Sequence, residues 1–240
     1  MAEVMSPLFW TGLLTIIWVN IILSGDNAVV IALAARSLPP HQQKKAVMWG
    51  AGAAVAMRIV LTVVAVELLK FPYLKLVGAA LLLWIAVKLL LPEDGSEDGI
   101  ESSDNLWAAI KTILIADLVM SLDNVIAVAA AAKGSLLLLV LGLLISIPIV
   151  IFGATMLMKV MERYPVIITI GAGILGWVAG EMGATDPVID GWVKANAAWL
   201  HWAAPVAGVI FVVALGKWLA QRAEKGRKAM VDLAGEDPKA

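Results

Sequence analysis

Two stretches of this chain concentrate oxygen donors inside otherwise apolar sequence. The first reads Asn20-x-x-x-Ser24-Gly25-Asp26-Asn27 and the second Asp117-x-x-x-Ser121-Leu122-Asp123-Asn124. The residue that opens each motif lies one helical turn before the Ser, so Asn20 and Ser24 share a helix face, as do Asp117 and Ser121. Asp26 and Asp123 follow their Ser by two positions and point away from that face in an unbroken helix. Unwinding at the tetrad lets Ser, Asp and freed backbone carbonyls converge. Together the motifs offer three carboxylates, three amides and two hydroxyls. Hard divalent cations such as Mn2+, Ca2+ and Mg2+ take ligands of this kind, whereas zinc and copper prefer imidazole or sulfur. The chain has no Cys, and its two His residues, His41 and His201, fall in a loop and beside the interfacial Trp202. Met120 is read as a packing residue and not as a thioether ligand. A carboxylate at the bilayer centre costs about 2.5–3.5 kcal/mol on insertion scales, so such residues are functional by default. Ser and Asn in spans also hydrogen-bond neighbouring helices, the plainer use of the same groups.

The elements that must hold these motifs are membrane helices. Of 240 residues, 61% are hydrophobic and 15% charged, and the mean hydropathy is +0.91. That is more apolar surface than a soluble domain of this size carries. The net charge of −1 and the lack of a basic block argue against nucleic acid as a partner. The first apolar run begins at Pro7 with no basic segment before it and no small-residue cleavage pattern after it, so it is read as a retained span. At about 20 residues per crossing, seven spans are predicted: 8–35, 46–69, 73–91, 106–132, 136–158, 166–182 and 203–219. The first is long for one crossing, and Gly25 in its middle predicts a break or kink. Residues 92–105 form an acidic Gly/Ser-rich loop, 186–198 a polar connection, and 222–240 a charged tail.

The repeat is wider than the two tetrads. Asp26 and Asp123 differ by 97 positions, while Phe71-Pro72 matches Tyr164-Pro165, Gly78 matches Gly171 and Trp84 matches Trp177 at an offset of 93. Each unit thus holds three spans. Three is odd, so the second unit enters the membrane from the opposite side. The predicted fold is all-α and polytopic, with two inverted three-helix repeats (1–91 and 106–185) and a seventh helix within 186–221. Such repeats place a transport site near the midplane, at interrupted helices. Cations in the tail (Lys217, Arg222, Lys225, Arg227, Lys228), after the first span (Arg36, Lys44, Lys45) and between the fifth and sixth (Lys159, Arg163) share one side. By the positive-inside bias that side is cytoplasmic, which puts the acidic loop and the C-terminus inside and the N-terminus outside.

The paired S-x-D-N motifs, each with an acid or amide four residues before the Ser, resemble the TerC family of integral membrane proteins. The wording VNIILSGDNAVVIA is similar to its shorter, YjbE-type branch. The resemblance covers roughly residues 8–219. It implies a seven-span fold, a link to the wider LysE-type superfamily, and export of a divalent metal ion across a bacterial inner membrane, best supported for Mn2+. On that reading Asp26 and Asp123 supply charge, and Asn27, Asn124, Asn20, Ser24 and Ser121 supply neutral oxygens. Asp117 is a third carboxylate or the proton carrier of an antiport cycle. The family often has Glu where this chain has Asn20, which changes the ligand number and the net charge of the site.

Three further charged residues border the predicted pathway. Glu67 and Glu181 lie near span ends, and Glu181 stands where Lys88 stands in the first unit. Arg58 is deeper, and is read as pairing with an acid, Glu181 or Asp117, with gating as the alternative. An intramembrane metal-dependent hydrolase is disfavoured because no H-E-x-x-H pattern exists. A non-enzymatic rival is a membrane scaffold whose polar motifs pack helices. The expected partners are the lipid bilayer and a divalent ion. The oligomeric state is left open, a homo-oligomer included.

Overall fold

The computed structural model describes residues 7–23, 25–68, 71–91, 102–132 and 135–235. These form helices and short connections, with no strand among the described residues. The helices are α1 (Pro7–Leu23), α2 (Gly25–Ala35), α3 (Pro40–Leu68), α4 (Leu74–Lys88), α5 (Ser102–Ala132), α6 (Leu136–Arg163), α7 (Val166–Ala184), α8 (Pro187–Asn196) and α9 (Leu200–Gly235).

Five of them, α3, α5, α6, α7 and α9, contain stretches long and apolar enough to cross a membrane. The pair α1 and α2, with 48° between Phe9–Ile21 and Gly25–Ala35, makes a sixth if it is counted as one span. With 15 residues, α4 rises only about 22 Å, short of a hydrocarbon core of about 30 Å. The seven spans predicted from hydropathy therefore depend on counting α4. Large apolar side chains such as Trp18, Val63, Phe152, Trp199 and Ile210 lie on the outside. That pattern is a liability in water and normal against lipid tails.

The predicted kink in the first span is present. Gly25 has no left-handed φ and an added Cβ there meets nothing within 4 Å, so neither strain nor close packing explains the break. The local cause is the residue type: Gly costs about 1 kcal/mol relative to Ala in a helix interior. At the equivalent place in the second motif stands Leu122, a good helix former, and α5 runs through it without interruption. The bend is thus confined to the helices of one of the two motifs.

Two connections differ from expectation. The segment read as a polar connection contains α8, which Asp186 and Pro187 start: the Asp186 carboxylate Oδ1 accepts from the Val188 N–H at 2.9 Å, and Pro187 occupies the first turn. Asp186 is fully buried, and its Oδ2 accepts from the Leu76 N–H of α4 at 3.2 Å. One carboxylate so caps two helices distant in sequence. The acidic segment 92–105, read as a loop, already contains the first turn of α5, which begins at Ser102.

Packing crosses between the predicted units. The second helix of the first unit, α3, packs mainly on α5, and the second helix of the other unit, α6, packs mainly on α1 and α2. The main core gathers Val30, Leu33, Leu82, Ile85, Ile113, Ala172 and Leu175, and a smaller one gathers Phe9, Ile16, Val128 and Leu143. Against α7, α9 packs so closely that a Cβ at Gly176 would stand 2.5 Å from the Gly208 carbonyl oxygen. Helices that cannot use water to drive association pack through small residues in this way.

Candidate functional site

The polar residues of the two motifs fall into two adjoining groups. The first is built around Arg58, midway along α3 and only 3% exposed. Its Nη2 donates to Asp117 Oδ1 at 2.5 Å, its Nη1 to Asn20 Oδ1 at 2.9 Å and its Nε to Ser121 Oγ at 3.0 Å. The helical spacing puts Ser121 one turn beyond Asp117, so its hydroxyl donates back to Asp117 Oδ2 at 3.2 Å. The Asn20 amide nitrogen donates to Ser146 Oγ of α6, and that hydroxyl donates to the Leu143 carbonyl at 2.7 Å. The Ser146 contact orients the Asn20 amide, presenting its oxygen to Arg58. Four helices, α1, α3, α5 and α6, are tied through one buried, charge-balanced network.

The second group sits at the break between α1 and α2. The Asn27 N–H donates to Asp26 Oδ1 at 2.8 Å. The Leu23 carbonyl, left at the end of α1, is taken up by two amides, Asn27 Nδ2 at 3.3 Å and Asn124 Nδ2 at 3.1 Å. One amide comes from each motif, so the helix break is where the motifs meet. Asp26 lies in the first turn of α2, where the partial positive charge of a helix N-terminus favours a carboxylate. It is half-buried, and its charge is within range of Arg58 and Asp117. Asn27 is 3% exposed, and its Oδ1 has no hydrogen-bond partner. An unsatisfied buried carbonyl oxygen costs about 1–3 kcal/mol, which makes it a candidate ligand oxygen.

A cavity of about 20 Å³ joins the two groups. Asn20, Asn27, Arg58 and Asp117 give it polar walls, and Ile31, Val55 and Ile147 are among its apolar ones. Such a space holds about one water molecule or one bare metal ion. A larger cavity, about 340 Å³, lies at the far end of α2 between Arg36, Ser37, Lys88, Asn105 and Thr112. Its two cations make it a poor cation site.

Of the predicted donors, the structure brings together Asn20, Asp26, Asn27, Asp117, Ser121 and Asn124. Ser24 lies outside the described residues, as do the side chains of Asp123 and Glu67. Among the described residues no three His, Asp or Glu side chains cluster as a metal site. Asp117 offers no uncompensated charge, because Arg58 already holds it. Between the two acids considered as partners for Arg58, the pair is made with Asp117, and Glu181 is exposed on α7. Sequence reasoning missed Ser146; it expected backbone carbonyls at the tetrad without singling out that of Leu23. The one available signal for Ser146 was a hydroxyl two residues before Pro148 in an apolar run.

Residues 5–224 match the family described as Integral membrane protein TerC family. The chain is 46% identical over 175 residues to the Uncharacterized membrane protein YjbE of Bacillus subtilis (strain 168), covering 73% of this chain and 80% of the relative. It is 26% identical over 181 residues to the UPF0053 inner membrane protein YgdQ of Escherichia coli (strain K12), covering 68% and 76%. To the UPF0053 inner membrane protein YoaE of the same strain it is 27% identical over 189 residues, 71% of this chain but 36% of that longer protein. No solved structure matches the chain.

Proposed function

Because the chain belongs to the TerC family of integral membrane proteins, we propose that it is a carrier that exports a hard divalent cation, Mn2+ foremost, with Ca2+ and Mg2+ as alternative cargoes. The observation that carries this reading is the buried Asn27 oxygen without a partner, lining an ion-sized cavity between the two motifs. Neutral carbonyl and amide oxygens with a few carboxylates are the ligands that Mn2+, Ca2+ and Mg2+ share. Asp26 and Asp123 carry the charge, Asn27 and Asn124 supply amide oxygens, and Asn20, Asp117, Ser24 and Ser121 complete the wider polar set.

The inverted pairing of two three-helix units expected from the sequence would allow alternating access, in which one unit rocks against the other around the cavity. Packing of α3 on α5 and of α6 on α1 and α2 brings both units to the cavity. The kinked α1–α2 span supplies an interrupted helix at the site. No covalent chemistry is required of any residue, and the reading is of a transporter and not an enzyme. The relatives named as inner membrane proteins support the same location here.

A scaffold reading has specific support too, since Asn20 and Asn124 hydrogen-bond across helices. Two measurements separate them. Cells lacking the protein should accumulate Mn2+ over other elements, and cells overproducing it should be depleted. The purified protein should melt at a higher temperature with Mn2+ present. Unchanged content of every divalent metal, together with an unchanged melting point, would leave the scaffold.

A further inference from the structure

Part of the donor set read from the sequence is already occupied by a cation of the chain itself. Arg58 engages the oxygens of Asn20, Asp117 and Ser121, three of the eight candidate metal ligands. Asn20 and Asp117 are the equivalent positions of the two repeats, 97 apart like Asp26 and Asp123. The guanidinium fork therefore spans the two motifs, one prong to each. Neither repeat offset brings a second cation opposite Arg58: the matching positions are Ile151 and Thr155. One Arg serves both units and neutralises one carboxylate.

A structural tie alone is a weak reason for this arrangement. Buried ion pairs gain little over well-packed apolar residues, because desolvation cancels most of the Coulomb attraction. Arg58 is also buried, its guanidinium turned to Asn20, Asp117 and Ser121. It lines the same cavity as the unpartnered Asn27 oxygen, and Asp26 lies within range of its charge.

We propose that Arg58 is the tethered counter-ion of the site, holding the oxygens of Asn20, Asp117 and Ser121 in place of the cargo until an incoming divalent cation displaces it. This rests on the export reading and deepens it. An empty carrier with Asp117 uncompensated would be costlier to reorient; Arg58 in the clasp balances that one carboxylate. Competition from Arg58 also weakens equilibrium binding, which favours release of the cargo.

The test is Mn2+ binding to purified full-length protein, with transport followed in liposomes. Arg58→Gln removes the competitor and keeps the donors, so Mn2+ should bind at least tenfold tighter while turnover falls. Arg58→Lys keeps the charge and should bind within about threefold of wild type. In Arg58→Gln/Asp117→Asn the gain should vanish. Folded Arg58→Gln that binds no tighter than wild type overturns the proposal. Where Arg58→Gln does not fold, the wild type decides: phenylglyoxal, read out by mass spectrometry, should modify Arg58 several-fold faster with saturating Mn2+. Equal or slower modification overturns the proposal. Asp26→Asn separates the two readings. If it abolishes Mn2+ binding while Arg58→Gln leaves affinity unchanged, export stands and the counter-ion falls. If only Arg58→Gln binds Mn2+, the counter-ion stands and export by the wild type falls. No Mn2+ binding by either protein sinks both.

Discussion

At the scale of single residues, the motif positions divide by what their removal should cost. Asn27 Oδ1 has no partner in the protein, and Nδ2 makes one long bond to Leu23. Asn27→Ala thus gives up about 1 kcal/mol or less of native hydrogen bonding. We expect its melting temperature to stay close to wild type while Mn2+ affinity falls at least tenfold; a large drop in melting temperature with unchanged affinity would assign Asn27 to packing. Asp117→Asn is the opposite case. It strips the carboxylate from a 3%-exposed Arg58, and an uncompensated buried charge costs about 3–5 kcal/mol. A clear loss of stability in denaturant titration checks this, and a loss under 1 kcal/mol would show that the pair is not formed. Asp26→Ala and Asp123→Ala remove carboxylates that oppose membrane insertion, so both proteins should reach the membrane in normal amounts and export no Mn2+. Normal efflux from either, at equal expression, removes that residue from the site.

Among the elements, the asymmetry between the kinked α1–α2 span and the continuous α5 is the feature with consequences. Gly25→Ala introduces a methyl group that meets no neighbour and raises helix propensity by about 1 kcal/mol. The variant should be as stable as wild type or more so, and should transport more slowly, because a straighter helix presents the Leu23 carbonyl and Asp26 less freely. Paired melting and efflux measurements read this directly; unchanged efflux would mean the break is incidental. Asp186 belongs to the same scale, since it starts α8 and holds the first turn of α4. Its caps fix how α4 and α8 enter the bundle, far from the cavity walls. Asp186→Ala should cost about 1–2 kcal/mol of stability and leave Mn2+ affinity unaltered.

For the molecule as a whole, orientation follows from the cations beside the spans. The C-terminal tail and the acidic loop are expected inside and the N-terminus outside. The chain has no Cys, so single introduced thiols report cleanly. Cys at Ser102 should react with an impermeant maleimide only from the cytoplasm, and Cys at Ala2 only from outside. Labelling of both from one side would remove a span from the count, and α4, the shortest of the helices considered as crossings, is the first to doubt. Cross-packing of α3 on α5 and of α6 on α1 and α2 leaves neither unit with a core of its own.

Helix content, membrane residence and the two polar motifs were legible in the sequence because they depend on local quantities: runs of apolar residues, a four-residue spacing on one face, and a Gly inside a span. The same local logic explains why α2 starts at Gly25 while α5 continues through Leu122. What the tertiary structure alone decided is which distant groups meet. Arg58 had two acids to choose from, and the fold delivers Asp117 of α5 and leaves Glu181 exposed. Ser146 became a site residue only because α6 converges on the motifs, and the Leu23 carbonyl meets Asn124 only because α5 packs beside the end of α1. Asp186, read as part of a polar connection, is buried because α4 and α8 both bring orphan N–H groups to it. Hydrogen bonds and ion pairs inside a bilayer form between whichever polar groups packing brings together, and packing is a property of helix surfaces far apart in the chain.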